Sequence, residues 1–273
     1  MQIVHTVAEL RASLGERRPV LVPTLGNLHA GHLSLIDIAR KRGEPVVASI
    51  FVNQLQFAPH EDYTAYPRTL ERDCELLAAG GCDIVFAPSD REVYPEAQGY
   101  TVHPPRELAG ILEGEVRPHF FAGVCTVVLK LFNMVRPAAA VFGKKDYQQL
   151  LVIRGMVRQL ALPIDIVPAE IVRGAGGLAL SSRNGYLNDA ERAEAAQLYA
   201  CLSAVAAEIK AGRADWPAIE SAAREFLSAR GWRPDYVTVR RQGDLREPAA
   251  GVPLVVLAAA RLGGTRLIDN VEI

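Results

Sequence analysis

Five short apolar runs punctuate the chain before residue 174: "PVLVPT" (19–24), "PVVASIFVN" (45–53), "DIVFAP" (83–88), "AAAVFG" (138–143) and "IDIVPAEIVR" (164–173). Each has the length of a buried strand and is bounded by turn-forming or charged residues. Between them, apolar residues return every three or four positions. Thr6 and Glu9 have capping-box spacing, which predicts a first helix to about Gly15. "AGHLSLIDIARKRG" (30–43) predicts a helix ended by Gly43. Residues 67–80 predict another, with Leu70, Cys74 and Leu77 on one face. "FAGVCTVVLKLFNMV" (121–135) reads as a buried helix, and "DYQQLLVIRGMVRQLAL" as one more. A polar loop, "QLQFAPHEDYTAYPRT", follows the second run. Strands alternating with helices predict an α/β fold, a parallel sheet with helices on both faces.

The pattern changes after "SSRNGYLN". Helices are expected near 189–211 and 215–230, then short strands in "DYVTVRR", "VPLVVLAAARLGG" and "TRLIDNVEI". Helices followed by consecutive strands predict a small α+β domain with an antiparallel sheet. The boundary falls near 171–188, giving domains of 1–173 and 174–273. There is no internal repeat and no low-complexity tract.

Composition narrows the function class. The chain has 273 residues, 49% apolar and 22% charged, with a formal charge of −1. That balance carries no basic stripe for nucleic acid or a membrane surface, so a small substrate is expected. None of Cys74, Cys82, Cys125 and Cys201 forms a C-x-x-C pair, so no zinc knuckle or redox motif is indicated. Cys74 and Cys125 fall among apolar residues, as small hydrophobes do. "MQIVHTVAEL" is not a signal peptide, and no apolar run approaches the length of a membrane span. A cytoplasmic enzyme is expected.

The densest chemistry lies in "PTLGNLHAGHLSL" (23–35), where a strand hands over to a helix, taken here as the first βα turn of the sheet. Ligands of open parallel sheets bind beyond the carboxyl ends of the strands. Gly26 lets a ligand approach the backbone, and Gly31 leaves the helix start open. N–H groups at a helix N-terminus attract phosphate. His29 and His32 can share one face of the first turn and donate to phosphoryl oxygens. A metal pair is an alternative, although no third ligand is evident and H-E-x-x-H is absent; ordinary surface histidines are another. "GAGGLA" (174–179) fits G-x-G-x-x-A, but no helix opens within it, which argues against a dinucleotide site.

H-x-G-H after a strand resembles the signature of the nucleotidylyltransferase superfamily, and the wider segment resembles P-T-M-G-A-L-H-x-G-H of the pantoate–β-alanine ligase family. Leu25 and Asn27 depart from that pattern. "FVNQLQF" (51–57) resembles F-V-N-P-x-Q-F, with Gln54 for Pro. "EDYTAYPRT" (61–69) is similar to a gate-side segment to which no chemistry is assigned. "VFGKKDYQQ" (141–149) resembles F-G-x-K-D-x-Q-Q, with Lys144 at the variable position. "GLALSSRNGYL" (177–187) resembles G-L-A-x-S-S-R-N-x-Y-L, with Gly176 where Asp is frequent. "RPHFFAGV" (117–124) departs most, having His119 at a Gly position and Phe120 at a His position.

The resemblance implies a Rossmann-like nucleotide- and pantoate-binding domain, with the SSRN phosphate loop opening the C-terminal domain. It implies ATP-dependent ligation of (R)-pantoate and β-alanine through a pantoyl adenylate, with Mg²⁺ accompanying ATP, no metal held by protein alone, and a homodimer. His29, His32 and Lys145 are its catalytic residues. ATP is assigned to Leu25, Gly26, Asn27, Leu28, His29, Ala30, Gly31, His32, Gly143, Lys144, Lys145, Asp146, Val172, Leu180, Ser181, Ser182 and Arg183. Substrate is assigned to Gln56, Gln149 and Asn53, the two glutamines holding pantoate. The rivals are another H-x-G-H adenylyltransferase and a nucleotide-binding regulator without chemistry.

Overall fold

The computed structural model describes residues 1–58 and 63–273. Glu61 and Asp62, the start of the gate-side segment, lie outside the described residues. The chain divides into two compact units, Met1–Lys144 with Val152–Glu170, and Lys145–Leu151 with Ile171–Ile273. Lys145–Leu151, expected with the N-terminal domain, groups with the second unit.

The first unit begins with a strand absent from the sequence expectation, β1 (Gln2–Val4), of which only Val4 is buried. Helix α1 (Val7–Leu14) follows, opened by the Thr6–Glu9 capping box and closed at Gly15. Next come β2 (Val20–Thr24), α2 (Ala30–Arg40), β3 (Val46–Ile50), α3 (Leu70–Ala79) and β4 (Ile84–Phe86). Three single-turn helices, α4 (Asp90–Val93), α5 (Arg106–Ala109) and α6 (Glu113–Val116), precede the long α7 (Phe120–Val135). Strand β5 (Ala139–Gly143), helix α8 (Tyr147–Gln159) and β6 (Asp165–Ala169) complete the alternation.

The sheet order is β1-β4-β3-β2-β5-β6, and every neighbouring pair is parallel. "PTLGNLHAGHLSL" therefore follows the second strand rather than the first. Central β2 is buried on both faces, which explains its unbroken apolar run. Val20 and Val22 pack with Leu35, Ile36 and Ala39 of α2 and with Leu77 of α3. Leu21 and Val47 alternate to the other face. There, Phe132 of α7 meets Phe142 of β5 edge-on at 6.5 Å between centroids. From β2 the chain steps outward to β3 and β4, then returns to place β5 on the other flank of β2. That reversal is a topological switch point, and ligands of such sheets bind outside it.

Several boundaries contract relative to the sequence reading. Helix α2 stops at Arg40, where tight turns carry the chain to Gly43. Strands β3 and β6 end at Ile50 and Ala169. On α3, Leu70 is exposed and Asp73 is wholly buried, so the buried stripe is Asp73, Cys74 and Leu77. All four cysteines are buried free thiols, and burial pushes the Cys125 thiol up to about 12.

In the second unit, α9 (Asp189–Lys210) and α10 (Trp216–Ala229) lie on an antiparallel sheet of β7 (Trp232–Arg241), β8 (Leu254–Leu262) and β9 (Thr265–Glu272). Leu198, Leu202, Ile219 and Leu227 pack there against Val237, Val239 and Val256.

Candidate active site

At the switch point the chain leaves β2 through Leu25–His29. Gly26 has φ +83°, and a Cβ there would stand 3.1 Å from an oxygen of Asp73. The missing side chain thus makes room for the Asp73 carboxylate. That carboxylate accepts the N–H of Asn27 and the N–H of Leu28, each at 2.8 Å, and the Thr69 hydroxyl at 3.0 Å. Asn27, the departure from the family's Ala, has φ +52°, a left-handed conformation that Asn adopts more readily than Ala.

His29 and His32 cap α2 reciprocally. The Gly31 N–H donates to Nδ1 of His29 at 3.1 Å, and the His29 N–H donates to Nδ1 of His32 at 3.3 Å. The rings lie 4.1 Å apart between centroids. A ring nitrogen that accepts carries the lone pair, so each neutral imidazole bears its proton on Nε2. The pair therefore serves twice. Its inner nitrogens build the helix start, and its Nε2–H groups are donors at the positive end of a helix dipole. Ala30 is exposed, while Gly31 and both histidines are half-buried.

Beyond β3, Asn53 caps a 3₁₀ turn over Gln54–Gln56. Asn53 is wholly buried and its amide is fully engaged. Nδ2 donates to Gln56 Oε1 at 3.1 Å and to the Gly123 carbonyl at 3.2 Å, while Oδ1 accepts from the Tyr94 hydroxyl at 2.6 Å and the Leu55 N–H at 3.4 Å. Two donors and two acceptor sites are the whole capacity of an amide. The Asn53 side chain thus holds Gln56. Gln56 is half-buried, and Gln54 is exposed at the first position of the turn, where the family's Pro needs no N–H. Arg117 donates to the Gln56 carbonyl at 3.0 Å and stacks on the Phe120 ring at 3.9 Å. Phe120, at the family's His position, thus braces an arginine. His119 precedes α7 without a side-chain cap bond.

At the end of β5, Gly143 leads into a 3₁₀ turn over Lys144–Asp146. The Lys144 ammonium pairs with Glu170 at 2.6 Å and is mostly covered, whereas Glu170 is exposed.

In the second unit, the Lys145 carbonyl accepts from Asn270 Nδ2 at 3.1 Å, and Asp146 is exposed. Gln149 is half-buried on the first turn of α8. Tyr147 donates to Glu272 at 2.9 Å. Val172 and Leu180 are joined by a backbone bond at 3.0 Å, closing a hairpin. Arg173 fastens that hairpin. It donates to the Gly177 carbonyl at 3.0 Å, forks onto buried Asp269 at 2.6 and 2.9 Å, and stacks on Tyr199 at 3.8 Å. Burial raises the Asp269 carboxyl, and Arg173 opposes that rise. Gly176 falls in the 3₁₀ turn over Ala175–Gly177. Ser181 then caps the turn that carries Ser182 and Arg183, accepting the Arg183 N–H at 3.3 Å.

A family model described as Pantoate-beta-alanine ligase matches residues 2–272. The chain belongs to the pantoate–beta-alanine ligase family. Pantothenate synthetase from Thermus thermophilus is 46% identical over 100% of this chain and 99% of its own, with a TM-score of 0.94. A pantoate-beta-alanine ligase from Francisella tularensis, complexed with "Beta-gamma ATP and Beta-alanine", is 30% identical over 100% and 97%, with a TM-score of 0.82. The activity of this family member is the ATP-dependent ligation of pantoate and β-alanine to pantothenate.

Sequence reasoning missed Asp73, Tyr94 and Arg117. Asp73 has no local signal, because a carboxylate on a helix is solvent-facing by default. Tyr94 has none either, because its partner Asn53 lies 41 residues away.

Proposed function

We propose that the ligation runs in two steps, with roles divided among the residues described above. A pantoate carboxylate oxygen attacks the α-phosphorus of ATP, its bond to phosphorus forms, and the bond to pyrophosphate breaks. The β-alanine amine then attacks the acyl carbon of pantoyl adenylate, loses a proton, and expels AMP as pantothenate forms. The task of the protein is placement and charge stabilisation.

The observation that carries this reading is the reciprocal histidine cap. It supports His29 and His32 as Nε2–H donors to the reacting phosphates, with the loop from Leu25 to Leu28 and the first-turn residues Ala30 and Gly31 beside ATP. Gly143 takes ATP through its backbone. Lys145 supplies positive charge to the phosphates, and Asp146 accepts from the ribose. The hairpin of Val172 and Leu180 contacts the nucleotide, and Ser181, Ser182 and Arg183 take the polyphosphate, Arg183 as a forked cation. Gln56 and Gln149 hold pantoate. In this reading nucleotide and pantoate are taken mainly by residues before 174, and the phosphate loop follows at Ser181–Arg183.

Mg²⁺ enters as part of the substrate Mg-ATP. Among the described residues no group of three His, Cys, Asp or Glu side chains suits a metal, and magnesium favours phosphate oxygens and water. Among them, too, no helix is long and apolar enough to cross a membrane, which is in keeping with the cytoplasm as the site of action. A homodimer is the expected assembly.

The test is to incubate the protein with Mg-ATP and (R)-pantoate, with and without β-alanine, following pyrophosphate, AMP and pantothenate. Pantoate alone should release pyrophosphate stoichiometric with enzyme, and β-alanine should convert this to turnover. Pyrophosphate release independent of pantoate would overturn the reading. His32→Ala should lower kcat by about a hundredfold or more with little change in ATP affinity.

A further inference from the structure

The orientation of an amide side chain decides whether it offers a donor or an acceptor, and at Gln56 that choice is made by a chain of buried partners. The first fixed point is backbone. The Leu55 N–H can meet only an oxygen of Asn53, and the Gly123 carbonyl can meet only its nitrogen. With Asn53 so placed, its Nδ2 can meet only the oxygen of Gln56. The Nε2–H pair of Gln56 is the end left for substrate.

The shortest bond in this chain is its outermost. Tyr94 lies just after α4, buried to 9% exposure, and its hydroxyl donates to Asn53 Oδ1 at 2.6 Å. The ring is held by Phe51 at 6.0 Å between centroids and by the Lys130 ammonium at 4.8 Å from its centroid. Lys130 itself donates to Gln98 at 2.8 Å. Burial pushes the phenol well above its ordinary range, so it remains a donor.

We propose that Tyr94 is a positioning residue for pantoate: through Asn53 it fixes Gln56 with its Nε2–H pair as the end offered to the substrate's oxygens. The inference rests on the reading of Gln56 as a pantoate ligand. Without the hydroxyl, Asn53 keeps its backbone-set orientation, but its Oδ1 retains only the 3.4 Å bond from Leu55, so the amide is held less firmly against Gln56.

The experiment is a double-mutant cycle on initial rates of pyrophosphate release, with folding of each variant checked by its thermal midpoint. Gln56→Ala should raise the KM for pantoate at least tenfold. Tyr94→Phe should raise it about five- to tenfold, with kcat and the KM for ATP within about twofold of wild type. In the Gln56→Ala background, Tyr94→Phe should add nothing. An unchanged pantoate KM in Tyr94→Phe, or full additivity, overturns the relay while Gln56 stands. An unchanged pantoate KM in Gln56→Ala overturns the reading of Gln56 and this inference with it. The donor polarity has a separate check that leaves Tyr94 intact: Gln56→Glu, which places an oxygen where the N–H pair stands, should raise the pantoate KM beyond that of Gln56→Ala. A smaller effect than alanine overturns the assigned orientation.

Discussion

Asp73 accepts two backbone N–H groups and a hydroxyl from a wholly buried position, and through them it shapes the turn that precedes the histidine pair. Its worth is geometric: each oxygen is aimed at one amide. Asp73→Asn would turn an N–H group toward Asn27 or Leu28. We expect a loss of about 2 kcal/mol in stability, together with a raised KM for ATP and an unchanged KM for pantoate, measured by thermal melts and initial rates. The histidines were legible in the sequence because two rare residues stood at helical spacing beside a turn. Asp73 was not, since a carboxylate on a helix is solvent-facing by default. Only the fold brings the amides of residues 27 and 28 to it.

Among the elements, the 3₁₀ turn is seated directly on the backbone of α7. A Cβ on Gly123 would lie 2.2 Å from the Leu55 carbonyl oxygen and 2.8 Å from the Gln56 nitrogen. Backbone cannot yield there as a flexible side chain can. Gly123→Ala should therefore lift the turn, costing about 1–3 kcal/mol, and weaken pantoate more than ATP; calorimetric binding of each substrate would measure it. The pattern revealed β2, an apolar run of strand length, and α7, a long and mostly apolar segment. It did not reveal β1, a strand of three residues with one buried, nor the four-residue helices α4, α5 and α6. Elements that short lack a period to read, and β1 is held by β4, far along the chain.

The two tryptophans of the whole molecule, Trp216 and Trp232, both lie in the second unit, so indole emission reports on that unit. Trp232 donates to Glu194 at 3.1 Å, and Arg230 forks onto the same carboxylate with two bonds of 2.7 Å. The Arg230 bond is the main cause holding the Glu194 carboxyl below its ordinary range. A lowered folded-state value means that the contribution is complete above the ordinary glutamate range and is lost as the pH falls through the lowered value. Glu194→Gln should then destabilise the unit by about 1 kcal/mol at neutral pH, read from the emission midpoint, with the gap to wild type closing in acid.

Lys145–Leu151 belongs to the second unit, although the chain on either side of it belongs to the first. No single cut therefore releases the second unit whole. A fragment beginning at Ile171 leaves behind Tyr147, the donor to Glu272, and Lys145, the acceptor from Asn270. The tail cannot be exchanged between genes as a cassette, because seven of the residues it is fitted to are encoded upstream of any junction that would carry it. Recombination after residue 170 would mate a foreign tail to a resident heptapeptide from the middle of the chain.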